Sequence, residues 1–527
     1  MPTIVNETSA ASLTQLLEGF LVDHPRAVVI EGGRVLFDMA VAKYALSAEY
    51  GRCILHLWSE EKNLVRTVAA VEAKNGSLRL QVKRFGQVKP QLLQMVSDRD
   101  QRTPTTRTAA RTKYLQILER VLGRCFPDYS AEGIRNAMDL EHSFGPAYAR
   151  GILARGGSAW AVIGVGGDES QATIDGVLTL GTLWLAFCRE QSGGRRLVEG
   201  LKVIVPYGTS EVTRARMAWM NPSLAKWELY ELDERSDELT QLDPADQGNL
   251  DVRLVHSFDR QTALERAREA IDRVFSMLPQ AASGHVEVWP RNAAEVAFLL
   301  HGLEFARVRR GLAANSFAPR NEITFGAGAN ETALTPETEE LFAQLVGRLL
   351  ESRHSGGNMR DPLYRLQPER WLESVLRRDL VEIEPQIVSE HIYAQVPAFA
   401  AGDRGMLDML TVDHGGRLLV LELKADEDLH LPLQGLDYWL RVRKLQGDSM
   451  QTGGRDSLHR YGYFTGLQLA DLPPLLHFVA PALRIHPSNE TVLRYLSPAI
   501  EWTLIALDEH WRERRRVLFR KRSSDIL

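Results

Sequence analysis

Asp408, Glu422 and Lys424 are the residues whose types and spacing promise chemistry in this chain. Asp408 interrupts the apolar run Met406 to Val412. Glu422 interrupts a second run, Leu418 to Leu423, and Lys424 follows directly. Side chains two apart on a strand share a face, so Glu422 and Lys424 project together. Between the runs, Asp413-His-Gly-Gly-Arg417 carries a Gly pair that predicts a hairpin. A bend there brings Asp408 beside the other two. Converging carboxylates repel unless a cation lies between them, and oxygen donors suit Mg2+ or Mn2+. A lysine beside that cation can orient or deprotonate a water and stabilise charge developing on a phosphoryl group. Pro432 fits the first turn of a following helix, on which Gln434 and Tyr438 share a face.

The ordered set Asp408, Glu422-Leu-Lys424 and Gln434-x-x-x-Tyr438 resembles the PD-(D/E)xK nuclease superfamily, in its RecB-like branch with the QxxxY helix. Within it the C-terminal segment is most similar to the NucS-type endonuclease domain. The likeness covers roughly residues 366 to 445, about one small catalytic core. It departs at Met406-Leu407-Asp408, where no Pro precedes the Asp. The resemblance implies that Asp408, Glu422 and the Leu423 carbonyl hold Mg2+ or Mn2+, and that Lys424 positions or activates water. It implies that Gln434 and Tyr438 orient the strand and the lysine. It also implies an acid on an earlier helix: Glu373 in Pro368 to Leu380, acting through a bound water, with Glu369 as substitute. A lone Glu-x-Lys carries nothing, because Glu60-Glu-Lys62 and Glu72-Ala-Lys74 also occur. The order of the whole set carries the signal.

These side chains need a scaffold, and 527 residues allow several domains. Hydrophobic content of 44% and charged content of 25% are those of an ordinary globular chain. A net charge of −5 advertises no global basic field, so any nucleic-acid surface must be local. Three cysteines are too few for a disulfide framework or zinc ribbon. The N-terminus lacks a basic and apolar leader pattern, and Gly176 to Cys188 reads as a buried helix and not as a membrane span. A cytoplasmic protein without a membrane partner is expected. No phosphate-loop Gly-Lys-Ser/Thr and no His-Glu-x-x-His occurs, which excludes a motor and a zinc hydrolase.

The expected fold is a multidomain α+β and α/β chain. Residues 1–104 form a β-rich N-terminal domain, 105–284 an α/β middle domain, and 285–360 a small connecting unit with a linker helix. Residues 361–527 form the nuclease domain, a restriction-endonuclease-like mixed sheet flanked by helices, with a basic tail. Tyr50-Gly-Arg52, the hairpin Val71 to Leu80 and Gly86-Gln-Val-Lys89-Pro90 follow the order of the NucS-type DNA-binding half-barrel. The aromatic expected after Lys-Pro is replaced by Gln91-Leu-Leu93. Arg52 and Lys89 are therefore candidate phosphate contacts. The middle domain is read as helix, strand, strand, helix, strand, helix, strand. That is the order of the C-terminal domain without its acids, as expected of a degenerate copy serving as a DNA-binding or dimerising platform. Asp233 to Asp251 is expected to be a loop, and Ala293 to Leu303 a helix. The tail from Trp511 to Arg522 interleaves aromatics with Arg514, Arg515, Arg516, Arg520, Lys521 and Arg522, a basic footprint suited to nucleic acid.

The expected function is a metal-dependent DNA endonuclease in repair or genome defence, acting on branched, mismatched or single-stranded DNA, with a homodimer one arrangement open to it. The alternatives are a non-catalytic DNA-binding scaffold that keeps a fossil core, and an antiviral effector whose nuclease is released by a sensed ligand.

Overall fold

The computed structural model describes residues 3–4, 10–25, 27–31, 34–39, 42–48, 53–58, 63–74, 77–83, 91–96, 104–139, 142–246, 252–254, 259–312, 319–327, 332–400, 405–451 and 457–525. Arg52, Lys89 and Tyr50 lie outside them. The protein is a mixed α+β chain with four sheets among the described residues, grouped into two compact units of two segments each, Met1–Thr105 with Phe258–Ser374 and Thr106–Ser257 with Val375–Leu527. Each unit joins stretches far apart in sequence, a grouping that reading the chain in order does not anticipate.

In the first unit an eight-stranded antiparallel sheet takes its strands from Thr3 to Val96. Helix Ala10–Asp23 buries Leu13, Leu17 and Leu21, spaced four apart, against its core. A separate five-stranded sheet is packed by helices Arg260–Ser276 and Glu339–Ser352. Here the expected helix from Ala293 to Leu303 is instead strand Glu295–Leu300, paired antiparallel with Leu303–Leu312. Its apolar run is too short for periodicity to separate helix from strand. The backbone decides the matter: His301 and Gly302 both take positive φ, +47° and +75°, and close a two-residue hairpin.

The second unit contains two sheets built on one plan. The first follows helix α1 (Pro104–Cys125) and comprises β1 (Ser130–Arg135), β2 (Tyr148–Arg155), β3 (Ser158–Val165), β4 (Leu197–Pro206), β5 (Lys226–Asp233) and β6 (Glu238–Leu242). Helix α2 (Val177–Ser192) links β3 to β4, and α3 (Glu211–Met217) links β4 to β5. The second follows α4 (Pro368–Ile383), which carries the boundary between the units, and comprises β7 (Tyr393–Ala400), β8 (Met406–Val412), β9 (Leu418–Leu423), β10 (Leu475–Pro481), β11 (Trp502–Leu507) and β12 (Val517–Arg522). Helix α5 (Leu431–Gln451) links β9 to β10, and α6 (Ser488–Arg494) links β10 to β11. A seventh strand, Val252–Leu254, edges the second sheet antiparallel to β7, and across the six matching strands of each sheet spatial order follows chain order. Successive pairings run antiparallel, antiparallel, parallel, parallel, antiparallel.

Strand β6 lies within the acidic stretch expected to be a loop. It is an exposed, charge-bearing edge strand, the usual guard against sheet-to-sheet pairing. The central strands β3 and β9 are buried almost throughout, which explains their continuous apolar sequence in place of alternation. Helix α2 also passes as long and apolar enough to cross a membrane when joined to its preceding turn, Gln171–Ser192. That stretch is 67% buried inside the protein and packs as a core helix. One continuous core runs from Phe144 through α2 and α5 to Leu504 and joins the two sheets.

Candidate active site

The hairpin of β8 and β9 forms as its Gly pair predicts. Asp413 Oδ1 accepts hydrogen bonds from the Gly415 and Arg417 amides, and Gly416 takes a φ of +81° that favours glycine. Arg417 then clamps Glu501 through two bonds of 3.0 and 2.8 Å. The register pairs Met409 with Leu421, so Asp408 and Glu422 are the next residues facing each other along the ladder. Asp408 Oδ2 accepts the Leu423 amide at 3.0 Å, which fixes that carboxylate at the end of β9. Glu422 is only 1% exposed, and Lys424 Nζ stands 3.6 Å from its Oε1 and 3.5 Å from Asp428.

Gln434 and Tyr438 project from the first turns of α5. Gly435 lets that helix approach the sheet, since a Cβ there would overlap the Phe478 ring and meet Leu476. The Tyr438 hydroxyl is held well above its ordinary pKa, first by burial and then by the negative charges of Glu422 and Asp408. It is therefore a neutral donor facing the acids. The Gln434 Oε1 is buried with no hydrogen-bond partner among the described residues. The sequence-predicted residues Asp408, Glu422, Lys424 and Tyr438 are thus brought together, with Gln434 on the same helix.

Two carboxylates and the adjacent Leu423 carbonyl make an all-oxygen donor set suited to Mg2+ or Mn2+. A buried Glu422 and a half-buried Asp408 against a single nearby amine leave negative charge that a divalent ion would neutralise. These residues fit such an ion. No group of three or more His, Cys, Asp or Glu side chains suited to a metal occurs among the described residues. Glu373, buried on α4, accepts a bond of 2.8 Å from Arg370.

The basic C-terminal stretch is more ordered than a solvated tail. Its second half is β12, paired antiparallel with β11. Arg515 is paired with Asp379 at 2.6 Å, Arg520 with Glu384 at 3.0 Å, and Lys521 with Glu490. Half of the expected footprint is therefore engaged in ion pairs within the chain, while Arg514, Arg516 and Arg522 are exposed.

The matching corner of the first sheet is different. Gly181 of α2 sits over Leu201 as Gly435 of α5 sits over Leu476. Leu201 pairs with Trp227, and Leu476 with Trp502. That register makes Ile163 the counterpart of Glu422, Val165 that of Lys424, Leu180 that of Gln434 and Trp184 that of Tyr438. Arg150 faces Ile163 and so takes the place of Asp408. Its guanidinium, 1% exposed, lies 4.6 Å from the Phe144 ring centroid and 5.7 Å from that of Trp184. A fixed positive charge fills the corner where the other copy gathers acids.

Residues outside the set singled out in the sequence tie the two sheets together. Arg216 of α3 grips Asp437 of α5 through bonds of 2.9 and 2.7 Å and donates to the Asp175 carbonyl at 2.5 Å. His430 Nδ1 lies 3.1 Å from the Thr179 hydroxyl of α2. The signal was present as a repeat: Trp219-Met-Asn-Pro222 then Trp227, and Tyr495-Leu-Ser-Pro498 then Trp502.

No family model and no curated protein matches the chain.

Proposed function

We propose that the chain is a Mg2+- or Mn2+-dependent endonuclease that hydrolyses DNA phosphodiester bonds, with its centre on the β8–β9 hairpin and α5 of a restriction-endonuclease-like core. The observation that carries this reading is the buried Glu422 facing the half-buried Asp408, brought from adjacent strands to one corner with Lys424 Nζ 3.6 Å from Glu422. A buried carboxylate with a second one facing it is costly to a fold, and a hydrolytic role gives the pair a purpose.

When bound, the ion supplies Lewis-acid polarisation of the phosphoryl oxygens. Asp408, Glu422 and the Leu423 carbonyl would hold it. Lys424, held between Glu422 and Asp428 at 3.6 and 3.5 Å, orients the attacking water and steadies the negative charge that grows on the phosphoryl oxygens. Tyr438, kept protonated, donates toward the carboxylates or a phosphate oxygen and aligns the scissile strand. Exposed Arg514, Arg516 and Arg522 are left for backbone contacts, each adding modest salt-dependent affinity. Cytoplasmic work on DNA in repair or defence agrees with the free cysteines, of which Cys125 is exposed.

The test is a panel of plasmid, branched, mismatched and single-stranded DNA incubated with the full chain and either ion. Cleavage that stops on chelation supports the proposal. A chain that binds DNA yet leaves every substrate intact with both ions would refute it.

A further inference from the structure

The two copies in the second unit meet through equivalent parts. Just after α3 and α6, Asn221 N donates to Tyr495 O at 2.8 Å and Ser497 N donates to Trp219 O at 2.8 Å, a reciprocal antiparallel bridge centred on Met220 and Leu496. Trp219 and Tyr495 head the repeated Trp/Tyr-Met/Leu-Asn/Ser-Pro sequence, so each copy offers the other its matching segment. Helix α2 packs on α6 while α5 packs on α3, again exchanging equivalents. This is the pattern of an isologous dimer interface, in which patch meets the same patch, realised inside one chain. The shared apolar core and the Arg216–Asp437 clamp seal it.

Two consequences follow. The face by which the catalytic copy would pair with an identical partner is already covered in cis. The covering copy also cannot act hydrolytically, because Arg150, Ile163 and Val165 stand where Asp408, Glu422 and Lys424 stand, and a guanidinium that stays charged repels a divalent ion. Resting on the nuclease reading above, we propose that the first copy is a built-in inert partner and that the chain hydrolyses one strand of a duplex per binding event, so that its product is a nick. In each event one P–O bond breaks, water supplies the new oxygen, and the leaving oxygen takes up a proton. The opposite strand is cut only after release and rebinding in the reverse orientation.

Supercoiled plasmid in excess over the full-length protein, with Mn2+ or Mg2+, tests this. Open circles should accumulate first, and linear DNA should appear only after many nicks per molecule. A duplex labelled on both strands should lose one strand per single turnover. Asp408→Asn should abolish cuts in both strands. Linear product at the rate of open circles, or persistent cuts in one strand by Asp408→Asn, would overturn the proposal while leaving the nuclease reading intact. Absence of any cleavage by the parent chain would overturn both.

Discussion

Glu422 is nearly inaccessible to water, and ionised carboxylates are buried at a cost unless positive charge stands close by. Lys424 answers part of that demand, and a divalent ion would answer the rest. Mn2+ at about 100 times its dissociation constant should stabilise the parent chain by about 2.7 kcal/mol. Glu422→Gln should remove that gain while barely changing the melting temperature without ion, as thermal unfolding with and without Mn2+ can read. A second residue sets a pH limit. His477, buried in β10, is pushed down to about 3 by burial and by the charges of Arg520 and Arg522. Glu384 lies 3.5 Å away, but it is held by Arg520 and does not offset this. The folded state keeps His477 neutral where the unfolded chain protonates it. Stability should therefore be intact above about pH 6.5 and fall toward pH 3, by at most about 1.4 kcal/mol per pH unit from this group. In urea titrations across that range, His477→Gln should flatten the slope, and an unchanged slope would contradict the assignment.

At the scale of elements, the site depends on how closely α5 sits on its sheet. Gly435→Ala would drive a methyl group into Phe478, an overpacking that costs about 1–3 kcal/mol and lifts Tyr438 from the acids. Cleavage should fall more steeply than DNA affinity, which kinetics alongside a binding assay would show. Arg216→Ala leaves Asp437 without its clamp and should slow cleavage likewise, with Arg216→Lys recovering only part, since lysine cannot reproduce the paired bonds. Much of this scaffold was legible in the chain. The strands Met406–Val412 and Leu418–Leu423 appear where two apolar runs flank a Gly pair, because turn chemistry and burial agree there. Glu295–Leu300 reads as helix in the sequence because five apolar residues have no diagnostic period, and the positive φ of His301 is invisible in its type. Arg216 was illegible for a different reason. Its partner lies 221 residues away, and nothing local marks an arginine that serves another copy.

For the whole molecule, the order of elements in the middle segment anticipated a second sheet of the same plan, and the pairings of the two sheets agree strand by strand. At the level of residues the likeness survives in a few aromatic and proline positions at the joint, while Arg150, Ile163 and Val165 stand where Asp408, Glu422 and Lys424 do. The grouping of residues into two units of interleaved segments was equally hidden, since long-range contacts decide it. The molecule that emerges has one acidic corner and one corner plugged by Arg150, held together by a shared core. In the proposed function, Asp408, Glu422 and Lys424 act as one hydrolytic centre. The most direct measurement is the single-turnover cleavage rate of labelled duplex DNA at saturating Mg2+ for the parent chain and for Lys424→Ala. Cleavage by the parent is expected, with a loss of about a hundredfold or more in the variant and equal DNA affinity. A variant that cuts at the parental rate would contradict it.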